Sequence, residues 1–150
     1  MLKGLSPLLS ADLLWILESM GHGDDLALVD RNFPAASTAL ATCSGRLVRL
    51  EGAGCTEAAE AILSLFPLDS FVEAPLVHMQ VVGEPQTRLA VHRDLQAVAD
   101  RAEGIPVAMA SLERHAFYEA ARKAFAVVQT SEERAYGCFL LRKGVIFSGQ

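Results

Sequence analysis

The segment "APLVHMQVVGEPQTRLAVHRDLQAVADRAEGIPVAMASL", residues 74–112, decides the fold class. An apolar run (74–82) comes first, a long amphipathic stretch with helical spacing (87–103) follows, and a second apolar run (105–112) ends the segment. Short apolar runs on either side of an amphipathic helix are typical of buried strands in α/β proteins. The segment therefore predicts a strand, a helix and a second strand.

The same alternation continues in both directions along the chain. Helical spacing recurs at residues 11–20, 55–66 and 114–125. Strands are predicted at 26–29, 45–52 and 126–130, and residues 137–147 predict a closing strand pair or one bent strand. This order indicates an α/β sheet covered by helices on both faces, in which ligands bind beyond the carboxyl ends of strands.

Local residues suggest how several elements begin and end. Ser10 and Thr56 are expected to cap the helices that follow them, since hydroxyl side chains are favoured at that position. Gly21 is expected to end the first helix. The stretch "RNFPAAS", residues 31–37, is predicted to form a loop.

The composition predicts a single domain over residues 1–150 that associates with copies of itself. The chain is 51% hydrophobic and 21% charged, and its mean hydropathy is +0.28. A length of 150 residues suits one domain with a substantial core. Because the apolar surplus forms no long run, we expect part of it to be buried in the interfaces of a homo-oligomer.

Charge and motif spacing exclude several classes of function. The net charge is −5, the isoelectric point is near 5.3, and Lys and Arg are scattered, so we expect no nucleic-acid partner. No apolar run is long enough to cross a membrane, and the first residues do not resemble a signal peptide, which predicts a cytoplasmic protein. The three cysteines and four histidines lack metal-site spacing, so we expect no metal.

Two residues in "MGHGDDLALVD", residues 20–30, are candidates for chemistry. His22 lies between two glycines after a predicted helix, and Asp30 follows a predicted buried strand. They have an ordinary interpretation, in which His22 interacts with the helix terminus and Asp30 starts a turn. They also have a functional one, in which His22 transfers a proton and Asp30 binds ligand hydroxyls. The residue pattern alone leaves both open.

Further candidates lie in the last third of the chain. Arg114 stands at a strand-to-helix junction, where a guanidinium can donate two hydrogen bonds, and Tyr136 precedes the last strand. Surface ion pairing and packing are the alternatives for both. Cys138 is a candidate nucleophile, although a single cysteine in an apolar strand is more often a packing residue.

Several motifs together resemble the RbsD/FucU family of sugar mutarotases, and its fucose branch more than its ribose branch. They are the "GHGD" segment up to Asp30, "PLDSF" at 67–71, "RHAFY" at 114–118, and Tyr136. The resemblance implies a single-domain, three-layer α/β/α fold with a mostly parallel central sheet. It also implies a ring-shaped homo-oligomer, commonly a decamer, with sites at subunit boundaries. The implied enzyme uses no cofactor and interconverts the α and β anomers of a reducing monosaccharide, with L-fucose as the leading candidate over other aldoses.

The resemblance also implies roles for individual residues. His22 would be the proton donor and Asp30 a ligand of sugar hydroxyls, and Arg114 falls where the fucose branch carries an arginine. Residues 136–138, with Tyr136, Gly137 and Cys138, correspond to the family's sugar-contact segment. Supporting roles are assigned to two further residues, Asp24 and Tyr118.

One departure from the family pattern affects the expected function. Cys138 stands where the family usually has Asn, and a thiol offers neither the carbonyl acceptor nor the two N–H donors of an amide. Main-chain groups of the segment can still bind a sugar. Two alternatives to a mutarotase therefore remain, a noncatalytic monosaccharide-binding or transport-associated protein and an enzyme that uses the Cys138 thiol.

Overall fold

Five helices and six strands alternate along residues 1–149, which are the residues that the computed structural model describes. The helices are α1 (Ala11–Ser19), α2 (Ala35–Ala41), α3 (Cys55–Leu63), α4 (Ala90–Glu103) and α5 (Arg114–Arg122). The strands are β1 (Asp25–Val29), β2 (Leu47–Leu50), β3 (Leu76–Met79), β4 (Met109–Leu112), β5 (Ala126–Thr130) and β6 (Phe139–Arg142). Within these residues, no helix has the length and apolar character needed to cross a bilayer.

The six strands form one sheet in the order β2-β5-β1-β6-β3-β4. Strand β6 runs antiparallel to its neighbours β1 and β3, and the other three pairings are parallel. The segment at 74–112 folds as predicted, because β3 and β4 are parallel neighbours joined through α4. The predicted α/β class with a mostly parallel sheet is confirmed.

Two hydrophobic clusters lie on opposite faces of the sheet. Alternate residues of β1 point to different sides, so that Leu26 and Leu28 join one cluster while Ala27 and Val29 join the other. Buried residues of α1, α3 and α4 belong to the first cluster, and those of α2 and α5 belong to the second. Helices therefore cover both faces, which gives the three layers that the resemblance implies.

The predicted helix ends are partly correct. Ser10 caps α1 as expected, since its hydroxyl accepts from the Leu13 N–H at 3.2 Å. The prediction for Thr56 is wrong, because α3 begins at Cys55 and its N-cap is Gly54, two residues before Thr56. The carboxylate of the distant Glu132 takes over the capping role by accepting from the Cys55 N–H at 3.2 Å.

Two boundaries near β1 also differ from the prediction. Helix α1 ends at Ser19 with Met20 in an extended conformation as its C-cap, so Gly21 directly follows the cap as expected but does not adopt the positive φ of a typical stop glycine. The predicted loop at 31–37 is shorter than expected, since α2 begins at Ala35 after Pro34. Proline suits a helix start because its backbone carries no N–H that needs a partner.

Strand polarity defines two edges of the sheet. The parallel strands β1, β3, β4 and β5 end at one edge, called here the carboxyl edge, and the antiparallel β6 begins there. The opposite edge, where β1 begins and β6 ends, is called the amino edge. Four adjacent strands, β1, β6, β3 and β4, therefore bring the residues that flank them together at the carboxyl edge.

Candidate functional site

An open cavity of about 230 Å³ lies at the carboxyl edge of the sheet. Its position is the one expected for a ligand site in an open α/β sheet. The volume lies below the range that is typical of sites for drug-sized ligands. The lining residues are Asp30, Asn32, Phe33, Met79, Arg114, Tyr118, Ala135, Tyr136 and Cys138.

Asp30 supplies a carboxylate in the wall of this cavity. It directly follows β1 and is only 6% exposed. One carboxylate oxygen accepts from the Asn32 N–H at 3.0 Å, which forms a tight turn after the strand. A carboxylate can accept about four hydrogen bonds, so this one contact leaves capacity for ligand hydroxyls.

Helix α5 places a cation and a phenol on the same cavity. Arg114 is its first residue and is exposed, and its guanidinium lies 3.5 Å from Nε2 of His115. Tyr118 lies about one turn further on, with its ring 5.5 Å from that of Phe33. Glu113 caps the helix by accepting from two backbone N–H groups, which fixes the start of α5 beneath Arg114.

Buried side chains hold the backbone of the 136–138 segment from behind. Nε2 of His92 lies 3.0 Å from the Tyr136 carbonyl oxygen, and the Cys55 thiol donates to the Gly137 carbonyl oxygen at 3.1 Å. A Cβ atom at Gly137 would lie 2.8 Å from Cγ of Glu132, so this close approach requires glycine. The backbone of the segment is thus held by contacts that do not involve a ligand.

Glu132 and Arg134 anchor the loop that leads into this segment. The Glu132 carboxylate is buried and accepts from the Arg134 guanidinium at 2.9 and 3.0 Å, and from the Arg134 N–H at 3.0 Å. The hydrogen bond from Arg134 outweighs burial and lowers the pKa of Glu132 to about 2. Asp94 on α4 binds the far end of the guanidinium at 2.6 Å. Sequence reasoning missed this cluster.

The thiol of Cys138 does not have the properties of a nucleophile. The residue is 2% exposed, and its burial together with the charge of Asp30 raises the thiol pKa well above its usual range. Burial likewise raises the pKa of Cys55 to about 12. Since the thiolate is the reactive form of cysteine, these environments disfavour the thiol-dependent alternative.

His22 lies at the amino edge and not in the cavity. Its Nε2 is 3.0 Å from Oδ1 of Asp69, and the imidazole is 44% exposed whereas Asp69 is 3% exposed. Burial opposes the charge of Asp69, but hydrogen bonds from the Phe71 N–H and from His22 lower its pKa. Because the Asp69 carboxylate can only accept, Nε2 of His22 carries a proton and donates it to this hydrogen bond. Nδ1 of His22 is then the nitrogen that can exchange a proton with another group.

The separation of His22 from Asp30 follows from the position of β1. His22 precedes the strand and Asp30 follows it, and the five residues of β1 alone span roughly 16 Å at ~3.3 Å per residue. One protomer therefore does not combine them in one site. Asp24 lies beside His22, and its carboxylate accepts from the Gly21 N–H at 2.7 Å, which shapes the turn that carries the histidine.

The sequence candidates thus fall into two groups. The cavity combines five of them: Asp30, Arg114, Tyr118, Tyr136 and Cys138. Gly137 lies behind the cavity, where its carbonyl oxygen accepts from Cys55. His22 and Asp24 lie at the opposite edge, together with Asp69. Asp69 was not a candidate in the sequence, where it stood only within the motif "PLDSF". Within residues 1–149, no three His, Cys, Asp or Glu side chains are arranged to hold a metal ion.

Comparison with known proteins identifies the family of the chain. Residues 3–146 match the model of the RbsD / FucU transport protein family. The chain belongs to the RbsD/FucU family. This match spans both edges of the sheet, and therefore includes the cavity and the His22–Asp69 pair.

Several RbsD/FucU relatives align over almost the whole chain. A human fucose mutarotase is 44% identical over 97% of this chain and 94% of its own length. An L-fucose mutarotase of Actinobacillus pleuropneumoniae is 39% identical over 97% of both chains. A crystal structure of the Streptococcus pneumoniae fucose mutarotase in complex with L-fucose superposes with a TM-score of 0.85, at 34% identity, covering 97% of this chain and all of that one.

Proposed function

We propose that this protein is an L-fucose mutarotase, an isomerase that interconverts the α and β anomers of the sugar by opening and reclosing the ring. The observation that carries the proposal is the cavity that combines the Asp30 carboxylate, the Arg114 guanidinium and the phenols of Tyr118 and Tyr136. The names of the two aligned relatives and the L-fucose bound by the Streptococcus pneumoniae protein support the choice of sugar.

The cavity suits a small, hydroxyl-rich ligand. Asp30 can accept from sugar hydroxyls through charge-assisted hydrogen bonds, and Arg114 can donate two parallel bonds to neighbouring oxygens. Phe33, Met79 and Cys138 supply an apolar wall on which carbon atoms of the sugar can pack. Hydrogen bonds from ligand hydroxyls to the Asp30 carboxylate, together with the apolar contact, favour a monosaccharide over an anionic ligand.

The reaction needs only proton transfers. A base removes the proton of the anomeric hydroxyl, an acid protonates the ring oxygen, and the bond between the anomeric carbon and the ring oxygen breaks to give the open aldehyde. Rotation about the bond to the aldehyde carbon and the reverse steps give the other anomer. His22 is the proposed proton donor, because Asp69 orients its ring through Nε2 and leaves Nδ1 available for proton transfer.

Assembly of several protomers would bring the two edges together. We propose a cytoplasmic homo-oligomer, a decameric ring by family resemblance, in which the cavity of one protomer faces the His22–Asp69 pair of a neighbour. The exposed ring of Phe71 lies 5.3 Å from that of His22, and the exposed ring of Phe147 lies 6.2 Å from that of Phe71. Apolar patches of this kind commonly mark subunit contacts.

Magnetisation exchange between anomeric protons tests the proposal. Equilibrated L-fucose, D-ribose, D-galactose and L-rhamnose are compared with and without protein, using wild type, His22→Ala and the control Arg101→Ala. Arg101 makes a surface ion pair with Glu60, and it neither lines the cavity nor contacts His22 or Asp69 through a hydrogen bond. We expect faster exchange for L-fucose with wild type and the control, and background exchange with His22→Ala. Full activity of His22→Ala would refute its role.

A mixing experiment tests the shared site. His22→Ala and Asp30→Ala are each expected to be inactive, and mixed oligomers of the two would contain some sites with both residues intact. Recovery of exchange after mixing supports a site between protomers, whereas no recovery despite subunit exchange refutes it.

A noncatalytic sugar-binding protein is the second candidate function. Its specific support is Cys138, which gives the sugar-contact segment a thiol in place of an amide. Binding of L-fucose to wild type without faster exchange would favour this candidate.

A further inference from the structure

The backbone of Tyr136 has an unusual conformation. Its φ is +62°, and it is the single non-glycine residue with positive φ among residues 1–149. Side chains other than glycine rarely adopt this region because Cβ approaches the backbone. Such a conformation persists when surrounding groups hold it, and it is found most often at functional sites.

His92 contacts the backbone of Tyr136 directly. The imidazole lies on α4, is fully buried, and approaches the Tyr136 carbonyl oxygen with its Nε2 at 3.0 Å. Its other nitrogen, Nδ1, lies 3.1 Å from the Leu89 backbone nitrogen. Because an N–H can only donate, Nδ1 is the acceptor and Nε2 carries the single ring proton. The two contacts together select one neutral tautomer.

The ring of His92 is itself held by two further elements. It stacks on His78 of β3 with ring centroids 4.0 Å apart, and it meets the edge of Phe139 of β6 at 5.9 Å. Nδ1 of His78 lies 3.0 Å from the Met79 carbonyl oxygen, which orients this second ring. The Nε2–H of His92 therefore points at Tyr136 from a rigid position.

We infer that His92 is a positioning residue, whose Nε2–H bond to the Tyr136 carbonyl holds the 136–138 segment in its sugar-binding conformation. The inference rests on the proposed function, because it treats this segment as part of the sugar site. It is separate from the role of His92 in capping α4, which involves only Nδ1 and Leu89. In the sequence, His92 stood within an amphipathic helix and among four histidines without metal-site spacing, and neither pattern indicated a positioning role.

Two substitutions separate positioning from capping. In His92→Asn, the short amide can still accept from the Leu89 N–H but is too short to reach Tyr136. In His92→Gln, the longer amide offers an acceptor for Leu89 and an N–H for Tyr136, as neutral histidine does. Leu95→Ala is the control, since Leu95 lies one turn along α4 and is fully buried in the core.

The positioning role predicts a specific kinetic pattern for L-fucose. His92→Asn should raise KM and the Kd about five- to tenfold with little change in kcat, as expected when one hydrogen bond that supports binding is lost. His92→Gln should stay close to wild type, and Leu95→Ala should lower Tm without raising KM. Unchanged KM and Kd in His92→Asn, or an equal rise in His92→Gln, would overturn the inference.

A crystal structure of His92→Asn provides a test that needs no sugar. Tyr136 should leave the region of positive φ once its carbonyl loses the imidazole, and it should keep positive φ in His92→Gln. Retention of the conformation in His92→Asn would overturn the inference. If wild type accelerates no anomer exchange, the proposed function fails, while this structural comparison still decides the role of His92.

Discussion

Substitution of Asp69 is expected to slow anomer exchange in a graded way. Its Oδ1 lies 3.0 Å from both Nε2 of His22 and the Phe71 N–H, and the lowered pKa keeps the carboxylate charged near neutral pH. In Asp69→Asn, the amide oxygen can accept both bonds but carries no charge. In Asp69→Ala, both bonds are lost.

The size of each effect follows from the strength of these bonds. A hydrogen bond to a charged group contributes ~1.5–3 kcal/mol and a neutral one ~0.5–1.5 kcal/mol. Since ~1.4 kcal/mol corresponds to a tenfold rate change, Asp69→Asn should lower kcat by about tenfold and Asp69→Ala by roughly ten- to a hundredfold. The 44% exposure of His22 screens the pair and favours the lower part of each range.

The assay is magnetisation exchange at saturating L-fucose and neutral pH, with thermal melting and light scattering to verify fold and assembly. Glu103→Gln is a matched control, because the Glu103 carboxylate accepts from the Leu68 N–H at 2.9 Å and supports the same loop without touching His22. We expect the control to exchange at the wild-type rate. Wild-type rates in Asp69→Ala, or an equal loss in Glu103→Gln, would show that the hydrogen bond to His22 is not the cause.

Two further predictions concern buried titratable groups. Burial and the neighbouring His78 lower the pKa of His92 to about 4, so that on acidification the unfolded chain binds this proton before the folded protein does. The neutral His92 therefore contributes fully to the free energy of unfolding above about pH 6.5. This contribution, up to roughly 3 kcal/mol, is lost as the pH falls towards about 4. Urea unfolding at pH 7 and pH 4.5 should show a smaller acid loss in His92→Gln than in wild type, and equal losses would contradict the assignment. Alkylation by iodoacetamide at neutral pH should label the exposed Cys43 and spare Cys55 and Cys138, with anomer exchange unchanged. Mass spectrometry locates the label. Loss of activity that follows labelling of Cys138 would contradict the prediction that its thiol is unreactive.

The sequence was sufficient for the fold class because the informative features are local. Apolar runs and helical spacing at 74–112 describe strand and helix directly, and they reappear as β3, α4 and β4. The position of Asp30 after an apolar run was likewise enough to place it at the carboxyl edge. Helix α2 was missed because seven residues of mixed character carry too little periodicity to distinguish a short helix from a loop.

Contacts between residues that are far apart in the sequence could not be predicted from local patterns. Asp69 lies 47 positions from His22, and Glu132 lies 77 positions from the Cys55 N–H that it accepts from. No local pattern pairs such residues, although an acid within an otherwise apolar segment such as "PLDSF" marks a candidate for a buried partner. Position before the last strand made Tyr136 a candidate, but the sugar-contact role of residues 136–138 came from family resemblance, since Tyr, Gly and Cys at this place have no distinctive spacing.

The placement of His22 and Asp30 at opposite ends of β1 has a statistical consequence for mixed populations of chains. Under the proposed assembly, each protomer contributes its imidazole to one site and its cavity to another. Every active site therefore needs intact residues from two chains. If half of the chains carry both His22→Ala and Asp30→Ala and mix at random, only about a quarter of the sites remain intact. Activity would then fall with the square of the intact fraction, so defective chains would remove a larger share of the catalytic capacity than their share of the population.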